Sequence, residues 1–343
     1  MKEHMFYVGT YSEPDEENII LYKADFDNLK FSKISSHMGT PNPSYLLENS
    51  NGILYAVEEL VSDGKVSAYY VDHDGFHKEC TVSSYGADPC HLSMDDKEHF
   101  LFAANYTSGS LAMFELDTNG MMLDLCCLKE HRGKGVNPDR QEGPHVHFTK
   151  YMKGDLYVCD LGLDTIFCYQ LNQEQKKLEE TTRNLHVPDG NGPRHLCFHP
   201  IKSDWLYVVA ELSAQVFVFH LEDDTYVLKQ EINSLPDGVP LENRVGAIKF
   251  SDDGRYLFVS NRGHDSLTSF AVSDSGFLQV LDVCKTGGKT PRDFTPFGDY
   301  FIVANQDSSL LTVLHFDRIN KRFKKLSMEE KVGHPVCIIE KNT

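Results

Sequence analysis

Leu206-Tyr207-Val208-Val209-Ala210-Glu211-Leu212 is an apolar run that breaks off at a carboxylate, and the chain carries six other versions of it. They are FYVGTYS from Phe6, LYAVEEL from Leu54, LFAANYT from Leu101, LYVCDLG from Leu156, LFVSNRG from Leu257 and FIVANQD from Phe301. β-Branched and aromatic residues dominate each run and polar residues end it, the pattern of a short buried strand leading into a turn. The runs recur every roughly 45 to 55 residues, the period of a four-stranded propeller blade.

Each run has the same surroundings. Before it stands a brief strand, commonly opened by proline: Pro43-Ser44-Tyr45-Leu46, Pro89-Cys90-His91-Leu92, Pro144-His145-Val146-His147, Pro193-Arg194-His195-Leu196, Val245-Gly246-Ala247-Ile248, Pro291-Arg292-Asp293-Phe294 and Pro335-Val336-Cys337-Ile338. A polar turn joins the two, as in Ser251-Asp252-Asp253-Gly254-Arg255, where Asp-Gly signals a hairpin. A third, alternating strand follows, such as Val216 to Leu221, and then a variable fourth, such as Leu178 to Thr182 or Phe277 to Val283. The pattern predicts an all-β, seven-bladed propeller of four-stranded antiparallel blades, one domain over residues 1–343. The sequence starts on a second strand and ends on a first, so the two termini are expected to share one blade and close the ring. No Trp-Asp dipeptide occurs, which excludes the common WD-repeat scaffold.

Composition narrows the function classes. A formal net charge of −18 leaves no broad basic field for nucleic acid or an anionic membrane. It leaves room for a small anion held by a few arginines. No apolar run nears the ~18 residues of a membrane span, and Met-Lys-Glu-His leads directly into the first strand run without a signal peptide. Nine cysteines without CxxC spacing read as small buried thiols, so a reducing cytoplasm is expected.

Antiparallel pairing brings the start of strand one and the end of strand two to the same end of a blade, so chemistry is expected there. One column of strand-two ends reads Thr10, Glu58, Asn105, Asp160, Ala210, Asn261 and Asn305. Its recurring amides, and Asp160 with them, suit the capping of turn backbone groups. The next column reads Tyr11, Glu59, Tyr106, Leu161, Glu211, Arg262 and Gln306, in which Arg262 is unrepeated and Glu211 stands out. Strand-one starts add His91, His145, His147, Arg194, His195, Arg292 and Asp293. His145 and His147 lie two apart and share a strand face, but without a matched third ligand they do not define a metal site. Arg194 and Arg262 require an anion nearby, either a side chain such as Glu211 or Asp160 or a ligand.

Five stretches carry a closer likeness: Gly192-Pro193-Arg194-His195-Leu196-Cys197-Phe198-His199-Pro200 followed by Ala210-Glu211-Leu212-Ser213; Ser260-Asn261-Arg262-Gly263-His264-Asp265-Ser266; Lys289-Thr290-Pro291-Arg292-Asp293-Phe294; and Val303-Ala304-Asn305-Gln306. Together they resemble the lactonase family of seven-bladed propellers, which contains the propeller-type 6-phosphogluconolactonase and the fungal carboxy-muconate lactonizing enzyme. The likeness runs through the whole chain in blade order. It implies a site of His145, Arg194, Glu211 and Arg262, with His91, His147, His195, Asp160, Arg292 and Gln306 as substrate-binding candidates. The chain departs from the pattern at Arg244-Val245-Gly246-Ala247, which lacks the leading Pro-x-His, and at Thr295-Pro296-Phe297-Gly298, read as a short turn.

The resemblance implies hydrolysis of a sugar lactone, 6-phosphogluconolactone in the first instance, a reaction of the pentose phosphate pathway. Glu211 or His145 would take a proton from water, and Arg194 or Arg262 would stabilise the oxyanion or clamp the phosphate. No metal or organic cofactor is required. A Gly-x-Ser-x-Gly elbow is absent, so a serine nucleophile has no support. The expected partner is a small anionic sugar lactone, and the expected state a monomer or weak homo-oligomer. The alternatives are a muconate-type lactonizing cyclase and a non-catalytic propeller that binds a small anion or a protein.

Overall fold

The computed structural model describes residues 4–236, 238, 239 and 244–342. Its strands form seven sheets, and the recurrent apolar runs are the second strands of those sheets, as in Ile53–Glu58, Phe100–Asn105, Trp205–Ala210 and Tyr256–Arg262. Every residue of these four strands is buried, because neighbouring elements cover both faces of the sheet. That explains why the runs are continuously apolar instead of alternating. Tyr207 and Val209 pack in one core with Leu257, Val259 and Phe270 of the following sheet. Each such aliphatic or aromatic side chain contributes about 1.5–3 kcal/mol. Fourth strands alternate with solvent, Thr225–Asn233 being one example.

The order within a sheet follows the sequence, as in Pro193–Phe198, Trp205–Ala210, Gln215–Glu222 and Thr225–Asn233. The terminal strand Pro335–Glu340 hydrogen-bonds to His4–Thr10, so the termini do share one sheet. In the fourth sheet the outer strand is split into Lys177–Glu180 and Leu185–His186, both paired to Thr165–Asn172. Helical structure among the described residues is limited to the 3₁₀ turns Leu161–Leu163 and Gln306–Ser308.

The Asp-Gly turn forms as its sequence dictates. Gly254 takes φ +68°, and its N–H donates to the Ser251 carbonyl at 2.9 Å. A Cβ there would stand 2.4 Å from the His199 ring, so glycine is required twice over. Thr295-Pro296-Phe297 is not a turn but the end of the strand Pro291–Phe297, and the turn comes at Gly298. Pro296 is tolerated because this strand is the edge of its sheet. The strand opened by Pro43 starts only at Leu46.

Contacts divide the chain into two compact units. One is centred on Tyr22–Lys33 and Pro193–Glu340, the other on Tyr7–Leu21 and Ile34–Gly192. Within each, first strands of successive sheets lie beside one another.

Candidate active site

Four first strands share one irregularity. Pro193 pairs with Ala210 and His195 with Val209, which makes Arg194 the extra residue of a β-bulge. The same slip isolates Cys90 between Pro89 and His91, His147 between Val146 and Phe148, and Arg292 between Pro291 and Asp293. A bulge takes its extra residue out of the in–out alternation and re-aims it. The register therefore sets His147 level with Arg194 and Arg292, and His145 two residues earlier.

In the unit holding Pro193–Glu340, three of the expected residues meet. Arg194 donates from Nε to Glu211 Oε2 at 3.0 Å, and Arg262 donates from Nη2 to the same oxygen at 2.7 Å. Arg194 Nη1 also donates to the Gly246 carbonyl at 2.6 Å and to His195 Nε2 at 2.8 Å. His195 thus accepts at Nε2, and its proton sits on Nδ1. Arg262 Nη2 reaches the Val245 carbonyl at 2.8 Å. Arg194, Glu211 and Arg262 are 2%, 3% and 9% exposed. At Gly246, where this strand departs from the leading-proline pattern, a Cβ would stand 2.4 Å from Ser260 Oγ and 2.8 Å from the Pro291 and Arg292 carbonyls, so glycine is what lets these strands approach.

Arg262 Nε is buried and has no hydrogen-bond partner among the described residues. Burial pulls the Arg262 guanidinium below its ordinary value, Glu211 opposes this, and the positive charges of Arg292 and Arg244 lower it further. A concentration of guanidinium charge is thus buried in a chain of net charge −18. Gln306 belongs to the same unit, and its Oε1 is likewise buried without a partner among the described residues.

In the other unit His145 is 7% exposed and its ring stacks on Tyr106, centroids 4.4 Å apart and planes at 12°. Nδ1 lies 3.2 Å from the Tyr106 carbonyl, to which it donates, and Nε2 lies 3.2 Å from Glu142 Oε1. The backbone is clamped at both ends: its N–H donates to Asp160 Oδ1 at 2.8 Å and its carbonyl accepts from Leu161 N–H at 2.9 Å. Gly162 permits this close approach, since a Cβ there would fall 1.9 Å from the Gly143 carbonyl. Gln141, fully buried, ties the preceding loop to Leu161.

Asp160 is 0% exposed, and its second oxygen accepts from His131 Nδ1 at 2.6 Å. Both Asp160 oxygens are thus held by donors from within the protein. His131 was not visible as a candidate from the sequence, because it lies in a segment without strand periodicity. His147 meets Tyr106 edge-on at 5.6 Å. The His91 ring lies between Tyr45 and Phe148 and accepts at Nδ1 from Thr149 N–H at 3.3 Å. It lines a cavity of about 320 Å³ with both aromatics. Among the described residues the grouping with ligand atoms within 4.8 Å of one another is Asp72, His73 and Asp74 at a hairpin turn, which includes none of the expected site residues.

Residues 5–340 match the family model described as lactonase, 7-bladed beta-propeller. The chain belongs to the lactonase family of seven-bladed β-propellers. It is an enzyme of the lactonase type, as the sequence motifs implied. A relative from Bacillus subtilis, named 6-phosphogluconolactonase, is 33% identical over 352 residues and covers 98% of both chains. The solved structure of the periplasmic gluconolactonase of Pseudomonas aeruginosa is 29% identical, with a TM-score of 0.92 and 99% of both chains covered. A protein from Lactobacillus plantarum is 28% identical with a TM-score of 0.91, also over 99% of both chains. Among the described residues no helix is long and apolar enough to cross a membrane.

Proposed function

We propose that this lactonase hydrolyses 6-phosphogluconolactone to 6-phosphogluconate. Water adds to the ester carbonyl, the ring C–O bond breaks, and the products are a carboxylate and a hydroxyl. The observation that carries the reading is the Nε of Arg262, buried and without a partner among the described residues, beside a carboxylate already shared by two arginines. A buried donor without a partner costs about 1–3 kcal/mol. An anionic group of the substrate, or the oxyanion formed from its carbonyl, would satisfy it. Guanidinium N–H groups suit both, and fixed donors aimed at developing charge contribute about 10²–10³-fold in rate each.

Glu211 and His145 are the two groups able to accept the proton of the attacking water, a step contributing about 10²–10⁴-fold. Glu211 has Oε2 committed to both arginines, whereas the His145 ring, donating from Nδ1, can take a proton at Nε2 when water replaces Glu142, whose Oε1 lies 3.2 Å from that nitrogen. The name of the Bacillus subtilis relative supports the phosphorylated substrate, and with it the pentose phosphate pathway and a cytoplasmic setting. The name of the Pseudomonas aeruginosa relative favours a second reading, an unphosphorylated gluconolactone.

Steady-state assays on 6-phosphogluconolactone, gluconolactone and a carboxy-muconate distinguish these readings. The expected result is the highest kcat/KM on the phosphorylated lactone, reduced by about 10²-fold or more in Arg194→Ala and Glu211→Gln. Faster turnover of gluconolactone or the muconate would replace the substrate. Hydrolysis no faster than the spontaneous rate on all three would leave a binding protein.

A further inference from the structure

The junction that ends each fourth strand repeats through the molecule. The backbone N–H of Ser84, of His131 and of Ser234 donates to the carbonyl of Gly64, Gly109 and Ala214, at 2.7, 3.0 and 2.9 Å. Each of the three then meets the polar residue that closes the second strand of the next sheet. Ser84 meets Asn105, whose Nδ2 donates to the Ser84 carbonyl at 3.0 Å. Ser234 meets Asn261, whose Oδ1 accepts from Ser234 Oγ at 2.6 Å. At the third junction His131 meets Asp160. Two neutral Ser–Asn pairs show that the fold itself needs no ionisable residue at this place.

The exchange changes where the hydrogen bonds go. An asparagine amide donates, and Asn105 and Asn261 direct Nδ2 into their own sheets, to Ser110 Oγ at 3.2 Å and Thr268 Oγ1 at 3.0 Å. A carboxylate can only accept, so Asp160 requires N–H donors on both oxygens. It takes one from His131 Nδ1 and the other from the backbone of His145. Tyr169 completes the line with its hydroxyl 2.9 Å from His131 Nε2. Burial, with the negative charges of Glu180 and Asp160, raises the Tyr169 phenol well above its ordinary range, so it stays protonated and donates. A fully buried carboxylate is costly unless so satisfied.

We propose that His131 and Asp160 are positioning residues for His145. Tyr169 and His131 orient the carboxylate, the carboxylate fixes the His145 amide, and the imidazole is thereby held flat on Tyr106 with Nε2 toward Glu142. This rests on the reading of His145 as a proton-transfer group. A displacement of about 1 Å at a reacting group can cost on the order of 100-fold in rate.

The test compares Asp160→Asn, the double variant His131→Ser with Asp160→Asn, and His145→Ala, each assayed on the lactone that the wild type turns over fastest. The double variant installs the pair found at Ser234 and Asn261. Asp160→Asn is expected to lower kcat per folded molecule by about 100-fold with KM near wild type. The double variant is expected to regain thermal stability but not kcat, and to move the NMR resonance of the His145 ring, which the stacked Tyr106 shifts. If Asp160→Asn does not fold, the double variant alone decides. Wild-type kcat in the double variant, with His145→Ala inactive, overturns the positioning role and leaves the reading of His145 intact. Wild-type turnover by His145→Ala overturns that reading and the positioning role with it.

Discussion

Asn261 and Arg262 are consecutive residues of one buried strand, and their surroundings are opposite. The Asn261 side chain is satisfied throughout: Oδ1 accepts from Ser234, and Nδ2 donates to Ser266 and Thr268. Arg262 spends one nitrogen on Glu211 and the Val245 carbonyl and leaves Nε buried and unpartnered among the described residues. The first residue closes a junction that recurs in the fold. The second faces like charge from Arg292 and Arg244, and in the proposed function an anion would complete it. Between these two neighbours the difference is thus one of complete against incomplete hydrogen bonding rather than of burial.

The sharpest way to break that contrast is Arg262→Ala. Loss of a donor aimed at the reacting anion is expected to lower kcat/KM by about 10²–10³-fold. Thermal stability should stay close to wild type, because relief from Arg292 and Arg244 offsets the lost bonds to Glu211 and Val245. Melting curves beside initial rates check both halves. Wild-type kcat/KM would return Arg262 to the scaffold.

Asn261→Ala should give the inverse. It removes the hydrogen bonds to Ser234, Ser266 and Thr268 from a buried junction and is expected to reduce stability by about 2–3 kcal/mol, measured by denaturant unfolding. Turnover per folded molecule should be unchanged. A loss of kcat comparable to that of Arg262→Ala would erase the distinction between the two neighbours.

The sequence made this contrast partly legible. Repeated polar residues at strand-two ends marked scaffold, and the unrepeated Arg262 marked chemistry, because repetition reports what every blade needs. The same rule concealed Asp160, which differs from its asparagine counterparts by one atom type but has no N–H to donate and so takes different partners. His131 was hidden because it follows its strand without periodicity. The signal that could have found it is positional, since it stands where Ser84 and Ser234 stand. The bulges were hidden as well, because pairing register is not written in side-chain polarity, and so the shared prolines aligned His145 with Arg194 where the register aligns His147. Thr295-Pro296 read as a turn because proline breaks interior strands, and only its edge position excuses it here.

Asp253 sharpens the comparison from the other side, since it too binds two arginines but in a partly exposed turn. It accepts from Arg255 Nε at 2.7 Å and from Arg318 Nη1 at 2.6 Å, with Ser251 Oγ at 2.7 Å. Burial pushes its carboxyl upward, but the hydrogen bonds from Ser251, Arg255 and Arg318 outweigh this and hold it well below its ordinary value of 3.8. A folded-state value below the unfolded one stabilises the fold above about pH 4, and that contribution is lost as pH falls through the acid range. Solvent screening keeps it small, under about 1 kcal/mol. Asp253→Asn should therefore melt slightly below wild type at pH 7, and the gap should begin to narrow below about pH 4, with lactonase activity at pH 7 unchanged. A gap that stays constant from pH 7 to pH 3 would mean that these bonds stabilise the turn through geometry and not through charge. The two-arginine carboxylate would then be a structural device at Asp253, and only the incomplete Arg262 would set Glu211 apart.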